Sequence, residues 1–329
     1  MKIAFISTAH IHTKRYVENI LKAQHGCKVG GVWDDFADRG RRYAEMAGAP
    51  FVADLSALLA DSSIDGFAIC AENTRHLPLL RQVLPTGKPV FCEKPLVTNP
   101  ADLQEVRDLH AKYPTPLFCG YFQPGTDQIR AVSQLLNEGV VGKVSRIRYR
   151  NANAAATGRW FDHPDLSWFI DPALSGGGAF MDMGTHALHL ARTLFGPVRE
   201  VWAEIGNQSG IYPSVDDFGI AQLRFASGVL GTVEAAWTQT GGLGGLEVVG
   251  SEKAIWNTKD GYVIGDAKAN EPIKPLVDTP NRIDRLVTVI QGKIDAEDLR
   301  ADLEATFETV AIMAAAYASA QKGCWVPVA

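Results

Sequence analysis

The sequence predicts a two-domain α/β chain, a doubly wound parallel sheet followed by an α+β domain with a large, mostly antiparallel open sheet. Three observations lead there. Short, unbroken apolar runs alternate with helical patterns as far as Tyr121, as expected of strands covered on both faces. Beyond Tyr121 the extended segments are longer, and one of them alternates apolar with polar residues. The 329 residues are long for one compact domain and comfortable for two, placed at 1–121 and 122–329.

In order, Ile3–Ile6 is a strand, Lys14–Ala23 a helix with Tyr16, Val17, Ile20 and Leu21 at helical spacing, and Lys28–Trp33 the next strand. Arg41–Ala47 is a helix closed by Gly48, and Leu55–Leu59 is helical. Gly66–Ala71 (strand), His76–Leu84 (helix) and Pro89–Cys92 (strand) follow. Pro100–Lys112 is a helix with Asn99 as N-cap, and Thr115–Tyr121 is counted as the sixth strand of a βαβαβαβαβαβ order. That order is Rossmann-type, and ligands of such sheets bind beyond the carboxyl ends of the strands. Here those ends are Ser7, Asp34, Ala71-Glu72-Asn73 and Glu93-Lys94-Pro95.

The second half has a helix at Ile129–Asn137, a strand at Val144–Arg150, an aromatic loop at Asp162–Pro172 and a long helix at Ala179–Phe195. Extended segments follow at Val198–Ile205, Phe218–Phe225, Val229–Trp237, Leu246–Val249 and Tyr262–Ile264, with a hairpin turn at Ser227-Gly228. Helices at Arg282–Gln291 and Leu299–Gln321 and a strand at Trp325–Val328 close the chain.

A formal charge of −5 and the absence of a basic stripe exclude nucleic acid as a partner; the short run Arg39-Gly40-Arg41-Arg42 sits beside Asp38. No apolar stretch reaches the length of a membrane span, and the opening apolar run is too short for a signal segment. The five cysteines form no C-x-x-C pair and suit small buried hydrophobes in a reducing compartment, so a cytoplasmic location is expected.

The first strand-to-helix turn is Ser7-Thr8-Ala9-His10-Ile11-His12. A dinucleotide-binding turn carries G-x-G-x-x-G, whose glycines let the backbone approach a pyrophosphate. Ser7, Ala9 and His12 occupy those three positions: the first two are small, and His12 falls where the helix meets the strand. Asp34 ends the second strand 22 positions after His12, where a carboxylate accepts ribose hydroxyls and repels a 2′-phosphate. NAD is therefore expected over NADP, although NADP is not excluded. His10 and His12 form an H-x-H pair, but such a pair directs both imidazoles one way only on a strand, and this segment turns; no metal is expected.

Further along, Asp182, His186 and His189 are spaced i, i+4, i+7, which puts them on one face of a helix. Met183, Ala187, Leu190 and Leu194 make an adjacent apolar stripe, and the glycines at 176–178 favour close approach of a ligand. A carboxylate and two imidazoles beside a core-facing stripe suggest a lined cleft rather than a solvated surface.

Three motifs resemble the glucose–fructose oxidoreductase, inositol dehydrogenase and rhizopine-catabolism (Gfo/Idh/MocA) family. They are Cys92-Glu93-Lys94-Pro95-Leu96, Ser175-Gly176-Gly177-Gly178 continuing through Asp182-Met183-Gly184-Thr185-His186, and Ile64–Cys70 followed by Asn73 and His76. The resemblance runs along essentially the whole chain. It implies an NAD-dependent dehydrogenase of a ring hydroxyl on a sugar, sugar acid or cyclitol, assembled as a homodimer or homotetramer. Lys94, Asp182 and His186 correspond to the catalytic set, with the proton acceptor left open between Lys94 and His186. Ser7, Ala9, His10, Ile11, His12 and Asp34 would hold the cofactor together with Ala71, Asn73, His76, Glu93, Lys94 and Trp168. Gln123, His189 and the catalytic set would meet a polyhydroxylated small molecule. Trp168 stands where relatives often have a Trp near the nicotinamide, and is equally readable as a core aromatic.

The chain departs from the family at Glu72 (usually Pro), Phe169 (often Arg), His189 (often Asp), Gln123 (often Arg) and in the glycine turn. Three other functions fit parts of this pattern. A glycoside-cleaving enzyme with transiently oxidised substrate would use the same fold and cofactor. A non-catalytic sensor of a dinucleotide or sugar has no need of Lys94, Asp182 and His186. A metal-dependent hydrolase or isomerase built on Asp182, His186 and His189 leaves Glu93-Lys94-Pro95 without a role.

Overall fold

A computed structural model describes residues 1–22, 26–280 and 282–329. Strands and helices follow as β1 (Lys2–Ile6), α1 (Thr13–Lys22), β2 (Lys28–Trp33), α2 (Ala37–Ala47), α3 (Leu55–Ala60), β3 (Gly66–Ile69), α4 (His76–Val83), β4 (Val90–Cys92), α5 (Pro100–Lys112) and β5 (Leu117–Cys119). The expected end of the first helix, Ala23, lies outside the described residues. These strands form a parallel sheet in the order β2-β1-β3-β4-β5. The doubly wound α/β expectation holds: the five strand segments named from the sequence are the five strands of this sheet, and the count of six was one too many. Between β2 and β3 the chain adds no strand, only a single bridge from Phe51 to Val32.

β3, β4 and β5 are buried at every residue, which explains their unbroken apolar runs. α1 buries Tyr16, Val17 and Ile20 against the sheet, whereas Leu21, expected on that face, is exposed. Asn99 caps α5 as expected, its side chain accepting from Asp102 N at 3.0 Å, with Pro100 in the first turn.

The second half contains α6 (Asp127–Asn137), β6 (Arg146–Ala152), α7 (Pro172–Ser175), α8 (Thr185–Phe195), β7 (Val198–Gly206), β8 (Phe218–Phe225), β9 (Leu230–Ala236), β10 (Gly245–Val249), β11 (Ala254–Thr258), β12 (Gly261–Gly265), β13 (Asn270–Pro272), α9 (Arg282–Ile290), α10 (Ala296–Lys322) and β14 (Val326–Pro327). Nine of its strands form one sheet, β13-β12-β11-β10-β6-β9-β8-β7-β14, antiparallel except where β6 meets β9. The aromatic loop is wound into 3₁₀ turns at Trp160–Asp162 and Pro164–Ile170.

The chain folds into two compact units. One comprises Met1–Tyr121, Phe161–Gly176 and Pro280–Phe307; the other comprises Phe122–Trp160, Gly177–Thr279 and Glu308–Ala329. In the first, Phe5, Phe91 and Phe118 on one face of the parallel sheet form a core with Tyr16 of α1 and Leu286 of α9. In the second, one face of the nine-stranded sheet packs against Phe180, Leu188 and Leu190 and against Ile312 and Met313 of α10. Cys27, Cys70, Cys92 and Cys119 are buried and Cys324 is exposed. Among the described residues no helix is long and apolar enough to cross a membrane.

The expected helix Ala179–Phe195 is interrupted. Phe180–Gly184 winds as a π-turn, and regular α-helix starts at Thr185. A π-turn adds roughly one residue per turn to the α-helical period, so the spacing from Asp182 to His186 does not by itself put them on one α-helical face.

Candidate active site

In the first unit, the sheet order places the topological switch between β1 and β3, the crevice where doubly wound sheets take ligands. Ser7 leaves β1 with φ +61°, the left-handed backbone that glycine ordinarily supplies at the start of a dinucleotide turn. Its N–H donates to Trp33 O at 2.7 Å. His10 N–H donates to Cys70 O at 2.9 Å, Ile11 is exposed, and α1 opens at Thr13. The Trp168 indole donates to Ala9 O at 3.1 Å and its ring stacks on Phe169. Phe169 is thus part of an aromatic stack resting on this turn.

Asn73 and His76 are buried and tie loops together. Asn73 Nδ2 donates to Ser175 O at 2.8 Å. His76 Nδ1 lies 2.9 Å from Pro95 O, and its Nε2 lies 3.2 Å from Ala71 O. Burial pulls the His76 pKa down in spite of these carbonyls, so the ring is neutral and bridges the ends of β3 and β4. Lys94, next along, is buried.

Asp34 stands where expected, at the end of β2, but both carboxylate oxygens are already engaged. Oδ1 accepts from Phe36 N–H (2.9 Å) and Arg39 Nη2 (2.8 Å). Oδ2 accepts from Thr8 N–H (2.9 Å), Thr8 Oγ1 (2.6 Å) and Arg39 Nε (2.9 Å). Arg39 Nη1 also donates to buried Glu72, at 3.2 Å. Buried Glu72 is therefore half of a cage around one guanidinium. In sequence Arg39 reads as part of a short surface run. Its position in the first turn of the helix that follows Asp34, five residues on, is the signal that points to the pairing.

Burial opposes ionisation of Asp34, but the hydrogen bonds and charge of Arg39, with help from Thr8, outweigh it and hold the carboxyl below its usual range. The stabilisation from a depressed carboxylate is full above its unfolded value and fades as pH falls through the folded one. Replacing Arg39 with alanine leaves Asp34 and Glu72 buried without their cation, and a loss of about 3–5 kcal/mol is expected at pH 7. The deficit should shrink at pH 4, where protonation removes the uncompensated charge. Urea midpoints of both proteins at the two pH values check this, and a deficit that grows on acidification contradicts the network.

The expectation that a turn would separate His10 from His12 does not hold. Each directs Nδ1 at Glu93 Oε1, at 3.4 and 3.3 Å. The segment does turn, but it folds back over the end of β4, and both rings meet the same carboxylate there. The Tyr16 hydroxyl also donates to Oε1.

In the second unit, Asp182 sits in the π-turn and its Oδ2 accepts from Trp237 Nε1 at 2.9 Å. His186 is buried, its ring edge-on to Phe122 at 5.5 Å. His189 is also buried, as is every residue from Thr185 to Ala191, so this stretch of α8 is no solvated surface. Gln123 donates to the Tyr149 hydroxyl at 2.7 Å.

The glycine triplet serves the fold, where its sequence pattern suggests room for a ligand. Gly176 is left-handed (φ +73°), and a Cβ there would stand 2.6 Å from Thr98. A Cβ on Gly178 would stand 1.9 Å from the backbone oxygen of Asp216. The Asp216 carboxylate accepts from Gly178 N–H (2.8 Å), Phe180 N–H (2.7 Å) and the Tyr317 hydroxyl (2.9 Å). Neither Asp216 nor Trp237 is legible in sequence as a partner of Asp182's turn, because each lies tens of residues away.

A Rossmann unit with a left-handed first turn, joined in sequence to a nine-stranded open sheet whose π-turn carries an aspartate ahead of a buried histidine, defines a class of nucleotide-dependent oxidoreductase. Residues 1–121 match the oxidoreductase family with an NAD-binding Rossmann fold, and residues 129–256 match the GFO/IDH/MocA C-terminal domain. The chain belongs to the Gfo/Idh/MocA family. It is similar to myo-inositol 2-dehydrogenase of Thermotoga maritima, 28% identical over 78% of this chain and 75% of that protein. In fold it resembles an NAD-binding oxidoreductase from Klebsiella pneumoniae (TM-score 0.82, 21% identity, 100% of this chain and 99% of that one). It also resembles levoglucosan dehydrogenase in complex with NADH and levoglucosan (TM-score 0.81, 18% identity, 100% and 99% covered).

Proposed function

We propose that the protein is an NAD-dependent dehydrogenase of a ring hydroxyl on a sugar, sugar acid or cyclitol, acting in the cytoplasm as a homodimer or homotetramer. The observation that carries the reading is buried Lys94, held at the carboxyl end of β4 in a Rossmann unit of a chain that also bears Asp182 and His186. The relatives acting on myo-inositol and levoglucosan support the substrate class.

The backbone fits a dinucleotide. Ser7 has the left-handed turn, and α1 presents its N-terminus at Thr13. Asp34 has no acceptor to spare, so ribose hydroxyls bind there by exchanging with the Arg39 or Thr8 bonds. Asp34, Asp35 and Glu72 face Arg39 and Arg75, three carboxylates against two guanidiniums, a net charge of −1. That balance disfavours a 2′-phosphate and supports NAD over NADP.

NAD, when bound, supplies the hydride acceptor. The chain's part is to take the hydroxyl proton and steady the developing oxyanion. His186 and Lys94 are the groups for the proton, Lys94 also offers positive charge to the oxygen, and Asp182, fixed by Trp237, orients a neighbouring hydroxyl. Titration with NAD and NADP, followed by tryptophan fluorescence, should give at least tenfold tighter binding of NAD, and cyclitols or sugars should then produce NADH. A well-folded, cofactor-free sample that binds neither dinucleotide refutes the reading. Turnover of a glycoside without net NADH moves it to the glycoside-cleaving alternative on the same fold and cofactor.

A further inference from the structure

Among the described residues, one group of metal-ligating side chains converges: His10, His12 and Glu93, with a nitrogen from each ring and a carboxylate oxygen all within 4.8 Å of one another. Two of the separations are informative. His10 Nδ1 and His12 Nδ1 stand 3.4 and 3.3 Å from the same oxygen, Glu93 Oε1. Donors at about 2.0–2.1 Å from a tetrahedral Zn²⁺ stand roughly 3.3–3.4 Å from each other, so both contacts match the edge of such a site.

Glu93 Oε1 accepts from the Tyr16 hydroxyl, and His12 Nδ1 lies within reach of the same oxygen. His10 Nδ1 lies 3.4 Å from that oxygen and 3.3 Å from the His12 backbone N–H, a long contact that a bound ion would replace at the nitrogen's single lone pair. His10 Nε2, fully buried, has no hydrogen-bond partner, so no pairing through that nitrogen has to be broken for the ring to coordinate.

The carboxylate is held from behind. Lys94 N–H donates to Oε2 at 3.0 Å and Tyr16 to Oε1, the kind of outer contacts that orient a ligating carboxylate.

We propose that His10, His12 and Glu93 bind a divalent transition metal ion of the Zn²⁺ class in the turn between β1 and α1. Two imidazoles and one carboxylate are a borderline donor set suited to Zn²⁺ or Co²⁺ over Mg²⁺ or Ca²⁺, and three protein ligands leave a four-coordinate ion one position for an outside ligand. The site lies wholly within the first unit and does not depend on the dehydrogenase reading.

The test uses the full chain, stripped with chelator and free of dinucleotide, titrated with Co²⁺ and then with Zn²⁺. The expected result is one Co²⁺ per chain with the intense visible bands of a tetrahedral site, displaced by Zn²⁺. His12→Ala, at a half-buried position, should weaken binding by about 100-fold, and Tyr16→Phe by about tenfold. Glu93→Gln should abolish the tetrahedral bands; where that variant does not fold, His12→Ala decides. A folded protein showing no Co²⁺ bands and no retained metal overturns the proposal, as does tetrahedral binding unchanged in His12→Ala. NAD titration of the same stripped protein is a separate readout. Metal binding without NAD binding counts against the dehydrogenase reading alone, and NAD binding without metal binding counts against the metal site alone.

Discussion

Replacing Lys94 with alanine is expected to lower kcat by about 10²–10⁴-fold while NAD affinity stays within a few fold. A buried ammonium is costly, and an evolved chain keeps one where its charge is used. At the carboxyl end of β4, Lys94 lies on the edge of the parallel sheet where the reacting end of a dinucleotide belongs. Charge that acts only as the hydroxyl becomes an oxyanion stabilises the transition state and not the ground state, so the loss should fall on kcat and leave KM little changed. Arginine should not rescue it, because a planar fork of donors does not replace a compact ammonium in a buried position. His186→Ala should cost a comparable factor in kcat. Stopped-flow and steady-state assays of NADH formation measure these. A Lys94→Ala enzyme retaining a tenth or more of its turnover removes Lys94 from the chemistry.

Much of this layout is legible in the sequence because it is local. The apolar runs of β1 to β5 and the Asn99 cap follow from neighbouring residues. Glu93-Lys94-Pro95 and the segment from Gly176 to His186 are recognisable as words. What escapes depends on distant partners. Tyr16 reads as an apolar helix position; its ring is buried as expected, but its hydroxyl reaches Glu93, 77 residues away. Arg39 and Glu72 are 33 residues apart, and Trp237 and Asp182 are 55 apart. β11 and β13 escape for another reason. They are short, and β13 is exposed throughout, so neither offers an apolar pattern to detect. The π-turn is hidden because periodicity assumes the α-helical repeat and has no signal for a local change of it.

The same π-turn sets the second large expected effect, that of Gly178→Ala on stability. An ideal Cβ at Gly178 would meet Asp216 O at 1.9 Å, Asp216 N at 2.7 Å and Asp216 C at 2.8 Å, all backbone atoms that cannot rotate away. The Asp216 carboxylate meanwhile binds Gly178 N–H, Phe180 N–H and the Tyr317 hydroxyl, so moving the two segments apart breaks these bonds as well. Overpacking of this kind, with loss of a buried hydrogen-bond cluster, belongs to the rare substitutions that cost more than about 4 kcal/mol. At about 2–4 °C per kcal/mol for a chain of this class, Tm should fall by roughly 10 °C or more, or the protein should fail to accumulate folded. Gly177→Ala is the internal comparison. Its Cβ would meet the Tyr317 hydroxyl at 2.5 Å, the tip of a side chain that is able to shift, and the expected loss is smaller. Differential scanning calorimetry of both variants measures the difference. If Gly178→Ala melts within about 2 °C of the parent, less than about 1 kcal/mol, backbone contact with Asp216 does not hold the turn. The glycines would then have to be explained by a ligand, as their sequence pattern suggests.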